Sequence, residues 1–344
     1  MILREGLSYD DVLLVPQYSD IVSRREVEIG NSLGEDLYFR LPVFSSPMDT
    51  VTGQQMAVSM SDSGGLGVVH RYNSIEEQVA LCNHIHSKGA IVAAAIGVSG
   101  DSFERAHELV LAGAQILCVD VAHGHHTLMR KAIPKIREIV GPAIHIMAGN
   151  VATKHGFEDL AHWGADSVRC NIGGGSICST RIETGHGVPG LQTIFDCFRA
   201  DISRDVKIIA DGGIRNSGDI VKALAAGADF VMVGSLLAGT SEAPGSIIKT
   251  LDGRLYKAYR GMASKEAQHD WRGKHSSNEG ISTRVPCTGP VVHILEDLAN
   301  GIRSGFSYSG ARNILELQSN AEFIRQTSSG QRESATHILG RANE

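Results

Sequence analysis

Lys207-Ile-Ile-Ala-Asp-Gly-Gly213, a helical stretch Ser217–Ala226, then Gly227-Ala-Asp229 and Phe230-Val-Met-Val-Gly-Ser235 set out one complete strand–helix–strand unit. The two apolar runs are too short for helices and show no polar alternation, which suits parallel strands buried on both faces. Gly227 stands just past the helix, where a left-handed C-cap favours glycine. Working outward, the same rhythm recurs. The strand candidates are Pro42–Ser46, Leu66–His70, Ile91–Ile96, Gln115–Val119, Ile144–Ala148, Ser167–Cys170, Lys207–Ala210 and Phe230–Val233. The helix candidates between them are Ile75–Lys88, Phe103–Ala112, Leu128–Val140, Phe157–Trp163, Leu191–Arg199 and Ser217–Ala226, and Gly113 and Gly164 also follow helices. About eight such units predict an α/β chain folded as a single (β/α)₈ TIM barrel over residues 1–344. A doubly wound open sheet is the alternative, but no GxGxxG opens the chain.

Composition narrows the function classes. The chain has 344 residues, 42% hydrophobic and 20% charged, with a formal net charge of −6. An acidic balance argues against a broad nucleic-acid surface. No apolar run is long enough to span a bilayer, so no membrane partner is expected. Met1-Ile-Leu-Arg-Glu-Gly6 has no apolar signal core, and six cysteines lie scattered without paired spacing. Both point to a cytoplasmic chain with reduced thiols. His123, His125 and His126 are read as a polar loop rather than a metal site.

The chemistry concentrates after the sixth, seventh and eighth strands, the end of a barrel that carries active sites. Asn171-Ile-Gly-Gly-Gly-Ser-Ile-Cys-Ser-Thr-Arg181 places three glycines before Cys178 and hydroxyls on both sides of it. Such a loop can wrap a small molecule and hold a nucleophilic thiolate over it. A lone cysteine near glycines is more often just a small buried apolar group. Here Asp211-Gly212-Gly213 and Gly234-Ser235 stand beside it, offering backbone N–H groups to phosphate and a carboxylate to ribose hydroxyls. The combination reads as a nucleoside monophosphate site. Residues 251–289 break the compact rhythm and predict a lid, with a polar stretch from Gln268 to Asn278. Residues 319–344 predict a C-terminal arm, loose or docked on a neighbour.

Several motifs in one order carry a resemblance: Tyr9-Asp-Asp-Val-Leu-Leu-Val-Pro16, Ser45-Ser-Pro-Met-Asp-Thr-Val-Thr52, Gly149-Asn-Val-Ala152, the Cys178 loop, Ala210-Asp-Gly-Gly213, Met232-Val-Gly-Ser235 and Tyr259-Arg-Gly-Met262. From about residue 4 to about residue 325 the chain resembles the IMP dehydrogenase/GMP reductase family. The resemblance implies purine nucleotide oxidoreduction, a nicotinamide cofactor (NADPH, or NADH/NAD) and a homotetramer. It implies that Cys178 attacks purine C2. Ser46, Met48, Ser176, Asp211, Gly212, Gly213, Gly234, Ser235, Tyr259, Gly261 and Met262 would surround the nucleotide. Asp120, Asn150 and Arg169 would face the cofactor, with Arg181, Arg284 and Lys154 as candidate cations for an adenosine 2′-phosphate. Backbone carbonyls of Gly173, Gly175 and Cys178 would hold a potassium ion. The helix Ile75–Lys88 runs straight into the strand at Ile91, so the regulatory domains inserted near there in many of the family's dehydrogenases are absent.

Within the family the residues favour the reductase. The dehydrogenase's water-activating Arg-Tyr pair is missing between Met262 and Glu279; Trp271-Arg272 has the reverse order. Thr180-Arg181 followed by Thr184-Gly-His-Gly187 and Pro189 resembles the reductase pattern, which makes Thr180 and Glu279 the pair that handles the departing amine. The expected reaction is NADPH-dependent reductive deamination of GMP to IMP and ammonia through a Cys178 thioimidate. Arg260, Val285-Pro286 and Gly289-Pro290 resemble the dehydrogenase instead. An IMP dehydrogenase forming XMP with NAD, a catalytically silent nucleotide-binding homologue and a flavin-dependent barrel oxidase are the alternatives; the last lacks a use for the cysteine.

Overall fold

Along the third barrel strand, Ala93 and Ala95 join one apolar cluster while Ala94 and Ile96 join another. Alternation in a strand sends successive side chains to opposite faces, so a strand buried throughout serves two cores. The computed structural model, which describes residues 3–274, 278–334 and 336, shows what these cores are. Eight parallel strands close on themselves: Val43–Ser45, Leu66–Val69, Ala93–Ile96, Ile116–Asp120, His145–Val151, Ser167–Cys170, Lys207–Asp211 and Phe230–Val233. Each pairs with its sequence neighbour, and the last with the first. The fold is the TIM barrel that the strand–helix alternation predicts. Every strand candidate falls in the barrel, with ends shifted by a few residues.

The inner core is small and aromatic at its base. Phe44 and Phe230 stack with ring centroids 4.6 Å apart, and Phe39 meets both edge-on at 5.1 and 5.9 Å. Phe39 belongs to a hairpin, Asn31–Gly34 with Leu37–Phe39, that closes the N-terminal end of the barrel. The outer core lies between strands and helices. Tight packing there needs glycine at one point: a Cβ on Gly67 would lie 2.5 Å from Cα of Ala57 in the helix Gln54–Asp62. Local signals start and stop the helices. Ser74 and Glu77 cap Ile75–Ser87 reciprocally, at 3.1 and 2.9 Å. His126 caps Thr127–Val140 through Nδ1, and His125 bonds Asp159, so both histidines have local partners. Gly113, Gly164 and Gly227 take φ of 92°, 110° and 115° after their helices.

Several helices escape the strand–helix reading, among them Gln54–Asp62 and Val291–Tyr308. Gln54–Asp62 is short and rich in serine and glutamine. Val291–Tyr308 buries Val291, Leu295, Leu298, Ile302 and Phe306, a helical spacing that is legible on inspection. The segment 251–289 is more ordered than a solvated excursion. Leu255–Arg260 pairs with Ile248–Lys249 and Ser282–Pro286 in an antiparallel sheet, and Lys265–Arg272 is a helix. His275, Ser276 and Ser277 lie outside the described residues. The expected arm also begins differently: Phe323–Arg325 pairs with Val12–Leu14 of the same chain, and Phe323 packs edge-on against Phe195 at 5.1 Å. A three-residue strand carries no periodicity, so the sequence hid it. Residues 335 and 337–344 of that segment lie outside the described residues. Among the described residues no helix is long and apolar enough to cross a membrane.

The aromatic base gives a direct test. Phe44→Ala removes a fully buried ring from it and should destabilise the protein by about 3–5 kcal/mol, read as a lowered urea midpoint. A loss below about 1 kcal/mol would mean the base is not a cooperative part of the barrel.

Candidate active site

The C-terminal ends of the strands surround a cavity of about 410 Å³. Ser46 and Met48 reach it from the first strand, Asp120 from the fourth and Asn150 from the fifth. Arg169 and the loop from Gly173 through Ser176 to Thr180 enter from the sixth. Asp211, Gly212 and Gly213 come from the seventh, and Gly234 and Ser235 from the eighth. The 251–289 segment adds Tyr259, Gly261, Met262 and Glu279. All site residues assigned from the sequence are on this wall except the three candidate cations, Arg181 first among them. Its guanidinium turns to the other side of the loop and donates to the carbonyls of Ile172 and Val188. There it fastens the loop, and it lines a second, smaller cavity with Ser176 and Ser235. Lys154 pairs with Glu158 at 3.5 Å, and Arg284 lies on the exposed strand Ser282–Pro286, so neither lines the cavity.

Cys178 is half-buried and sits in a short relay. Its Sγ lies 3.2 Å from Thr180 Oγ1, which donates to Glu279 Oε2 at 2.9 Å. Sequence separation makes this relay improbable by chance, and backbone pairing produces it. Ser179 N–H donates to Glu279 O at 3.1 Å, and Ile281 N–H donates to Ile177 O at 3.0 Å. Cys178 and Gly280 face each other as an antiparallel bridge, while Gly261 N–H donates to Ile281 O at 3.0 Å. The segment 279–281 therefore lies as an extra strand between the cysteine loop and the lid sheet. Space is tight enough to require glycine at Gly280, where a Cβ would come within 2.9 Å of the Ser264 backbone nitrogen.

Across the cavity, Arg169 spans two carboxylates. Nη1 donates to Asp120 at 2.6 Å, while Nε and Nη2 donate to Asp211 Oδ2 at 3.0 and 2.8 Å. Asn150 Nδ2 donates to the same Asp211 oxygen at 2.7 Å. Burial alone would push the Asp120 carboxyl up, but the Arg169 and Arg71 guanidiniums outweigh it and hold it below the usual carboxylate range. Burial pushes the Cys118 thiol up to about 11, so that sulfur, 3.4 Å from Arg169, is no competing nucleophile at neutral pH. At the far end, Ser176 Oγ and Tyr259 Oη are 3.4 Å apart. Gly234 keeps that corner open: a Cβ there would lie 3.1 Å from Tyr259 Oη and 3.2 Å from Met48 Sδ. Gly212 and Gly213, at φ of 82° and 77°, form the adjoining left-handed turn.

The residue-by-residue reading missed Arg71, Tyr72 and Trp271 as wall residues. Arg71 and Tyr72 follow the second strand, and that position was the available signal.

A family model described as the IMP dehydrogenase / GMP reductase domain matches residues 6–337. The chain belongs to the IMP dehydrogenase/GMP reductase family. It is therefore an oxidoreductase of purine metabolism. Its relatives divide between the two names. An inosine-5′-monophosphate dehydrogenase of Borreliella burgdorferi is 36% identical, with 98% of each chain covered. The corresponding protein of Nitrosopumilus maritimus is 33% identical over 98% of this chain and 99% of its own. A GMP reductase of Leishmania major is 32% identical over 98% of each. Among solved structures, GMP reductase from Trypanosoma brucei in complex with guanosine 5′-monophosphate superposes with a TM-score of 0.91 at 32% identity, covering 97% of this chain and 98% of that one.

Arg169→Met should expose the dependence of the cavity on its buried ion pairs. Asp211 would lose its cation and Asp120 would keep only Arg71, costing roughly 3–5 kcal/mol in denaturant unfolding at neutral pH. Because the Asp120 carboxyl is held below its ordinary value of about 3.9, its contribution is complete above that pH. It disappears as pH falls through the lower folded-state value. An unchanged midpoint at neutral pH would contradict this account.

Proposed function

We propose that the chain is a GMP reductase, converting GMP to IMP and ammonia with NADPH. The observation that carries the reading is the Cys178–Thr180–Glu279 relay. Sγ attacks C2 of the guanine. Its proton passes through Thr180 Oγ1 to Glu279 and returns by the same hydroxyl to the exocyclic amine. The C2–N bond breaks, ammonia leaves neutral, and a thioimidate remains on Cys178. A nicotinamide cofactor bound beside Asp120 and Asn150 would supply hydride to C2; Cys178 then leaves as a thiolate, takes up a proton, and IMP departs.

The remaining wall supports binding. Ser176, Tyr259 and the turns at Gly213 and Gly234-Ser235 suit the phosphate, with Ser46, Met48, Gly261 and Met262 around the nucleotide. The Asp211 donors converge on Oδ2, leaving Oδ1 to accept from ribose hydroxyls. The side of the cavity at Asp120 and Asn150 suits the nicotinamide. A potassium ion on the carbonyls of Gly173, Gly175 and Cys178 fits oxygen chemistry: Asn171 Oδ1, beside that loop, is buried and has no hydrogen-bond partner among the described residues. A homotetramer belongs to the same reading.

An IMP dehydrogenase is the second reading. The relatives bearing that name favour it. So does Arg260, which bridges Asp49 and Asp270 where the dehydrogenase resemblance lies.

Incubation with GMP plus NADPH, and separately IMP plus NAD, decides between them. NADPH oxidation with release of IMP is expected; NAD reduction by IMP without reaction of GMP would overturn the proposal. Cys178→Ala should abolish turnover while leaving GMP affinity nearly unchanged. Glu279→Gln should lower kcat by roughly 10²–10⁴-fold with GMP still bound. Full activity of Glu279→Gln would exclude the relay.

A further inference from the structure

The lid helix Lys265–Arg272 is fastened to the barrel by one aromatic contact. The Trp271 indole stacks on the Tyr72 ring, centroids 4.0 Å apart and planes 15° off parallel. The Arg272 guanidinium lies 3.7 Å from the same indole centroid. Two groups at those separations cannot share one face, so the indole is sandwiched. A ring covered on both faces cannot receive a purine or nicotinamide base. It works as a fastener, not as a platform.

Its position gives the fastener a consequence. Tyr72 comes from the barrel body, three residues after the second strand ends at Val69, whereas Trp271 belongs to the lid. Tyr72, Trp271 and Arg272 line the same cavity as Cys178. The other ties of the lid are of different kinds. Arg260 links Asp49 to Asp270 by charge, at 2.9 Å and 2.6 Å, and 279–281 pairs by backbone with the cysteine loop. Among the described residues the stack is the one aromatic contact between lid helix and barrel wall, with Arg71 5.4 Å from both rings.

A thioimidate is electrophilic at C2 and accepts whichever nucleophile reaches it. Hydride gives IMP. Water gives XMP, since oxygen adds to C2, the C–S bond breaks and the thiol recovers a proton. The net leak is GMP plus water to XMP plus ammonia, with no oxidant or reductant.

We propose that the Tyr72–Trp271 stack holds the lid shut over the thioimidate and so commits it to hydride rather than water. Both are positioning residues, since neither touches the reacting atoms. The proposal rests on the reductase reading.

The test measures product partition in Trp271→Ala, Tyr72→Ala and Trp271→Phe, with GMP and NADPH, quantifying XMP and IMP by chromatography and NADPH by absorbance. The wild-type protein should oxidise one NADPH for each GMP consumed. Each alanine variant should consume more GMP than NADPH, with XMP rising roughly threefold to tenfold over the wild-type trace, the change expected from losing one aromatic contact. Trp271→Phe keeps a stacking ring and should retain the wild-type partition, which a general loss of folding would not restore. Alanine variants that turn over more slowly with unchanged partition would overturn the proposal. A wild-type protein that fails to oxidise NADPH with GMP at all would instead overturn the reductase reading, and this proposal with it.

Discussion

Three backbone hydrogen bonds join the cysteine loop to the segment 279–281 and that segment to the lid sheet, and the chemistry of the site hangs on them. Cys178 and Glu279 are distant in sequence and belong to parts of the chain that need not have met. An extra strand laid along the loop fixes both backbones, so the two side chains project to one side with Thr180 between them. Such pairing satisfies groups that a loop would otherwise leave to water. It also ties the carboxylate to the lid segment, so a lid that lifts takes Glu279 away from Thr180 and the sulfur.

The barrel divides its labour between its two ends. At the N-terminal end, aromatic rings and a hairpin fill the interior. At the C-terminal end the interior gives way to charge: Arg169, Asp120 and Asp211 stand where the next layer of apolar side chains would be. Burying a cation between two carboxylates adds little to stability compared with apolar packing. It orients polar groups rigidly toward a ligand. The cost of keeping polar groups at this end is offset by the packed end below.

Much of this was legible in the sequence for identifiable reasons. Strands buried on both faces read as short apolar runs, and glycine after most of the helices between them marks the turns, so all eight barrel strands could be located. The cavity wall was legible because strand ends place it: Asp120, Asp211 and Gly234 each follow an apolar run. Glu279 could be named through the family resemblance alone, since no spacing rule links it to Cys178. Arg181 reads in the sequence as a cation near a phosphate loop, and only the fold shows that backbone carbonyls engage it. The Tyr72–Trp271 stack was hidden because a contact between a loop-borne ring and a ring on a short, distant helix leaves no periodic trace. The strand pair Val12–Leu14 with Phe323–Arg325 was hidden by its length and by the span of chain between its halves.

The central claim is a covalent bond between one sulfur and the purine. Acid quenching during turnover of GMP, followed by intact mass and peptide mapping, tests it most directly. The account predicts an adduct with the mass of the nucleotide less ammonia, confined to the peptide carrying Cys178. Turnover with no adduct at any time, or with an adduct on another of the thiols, would contradict it.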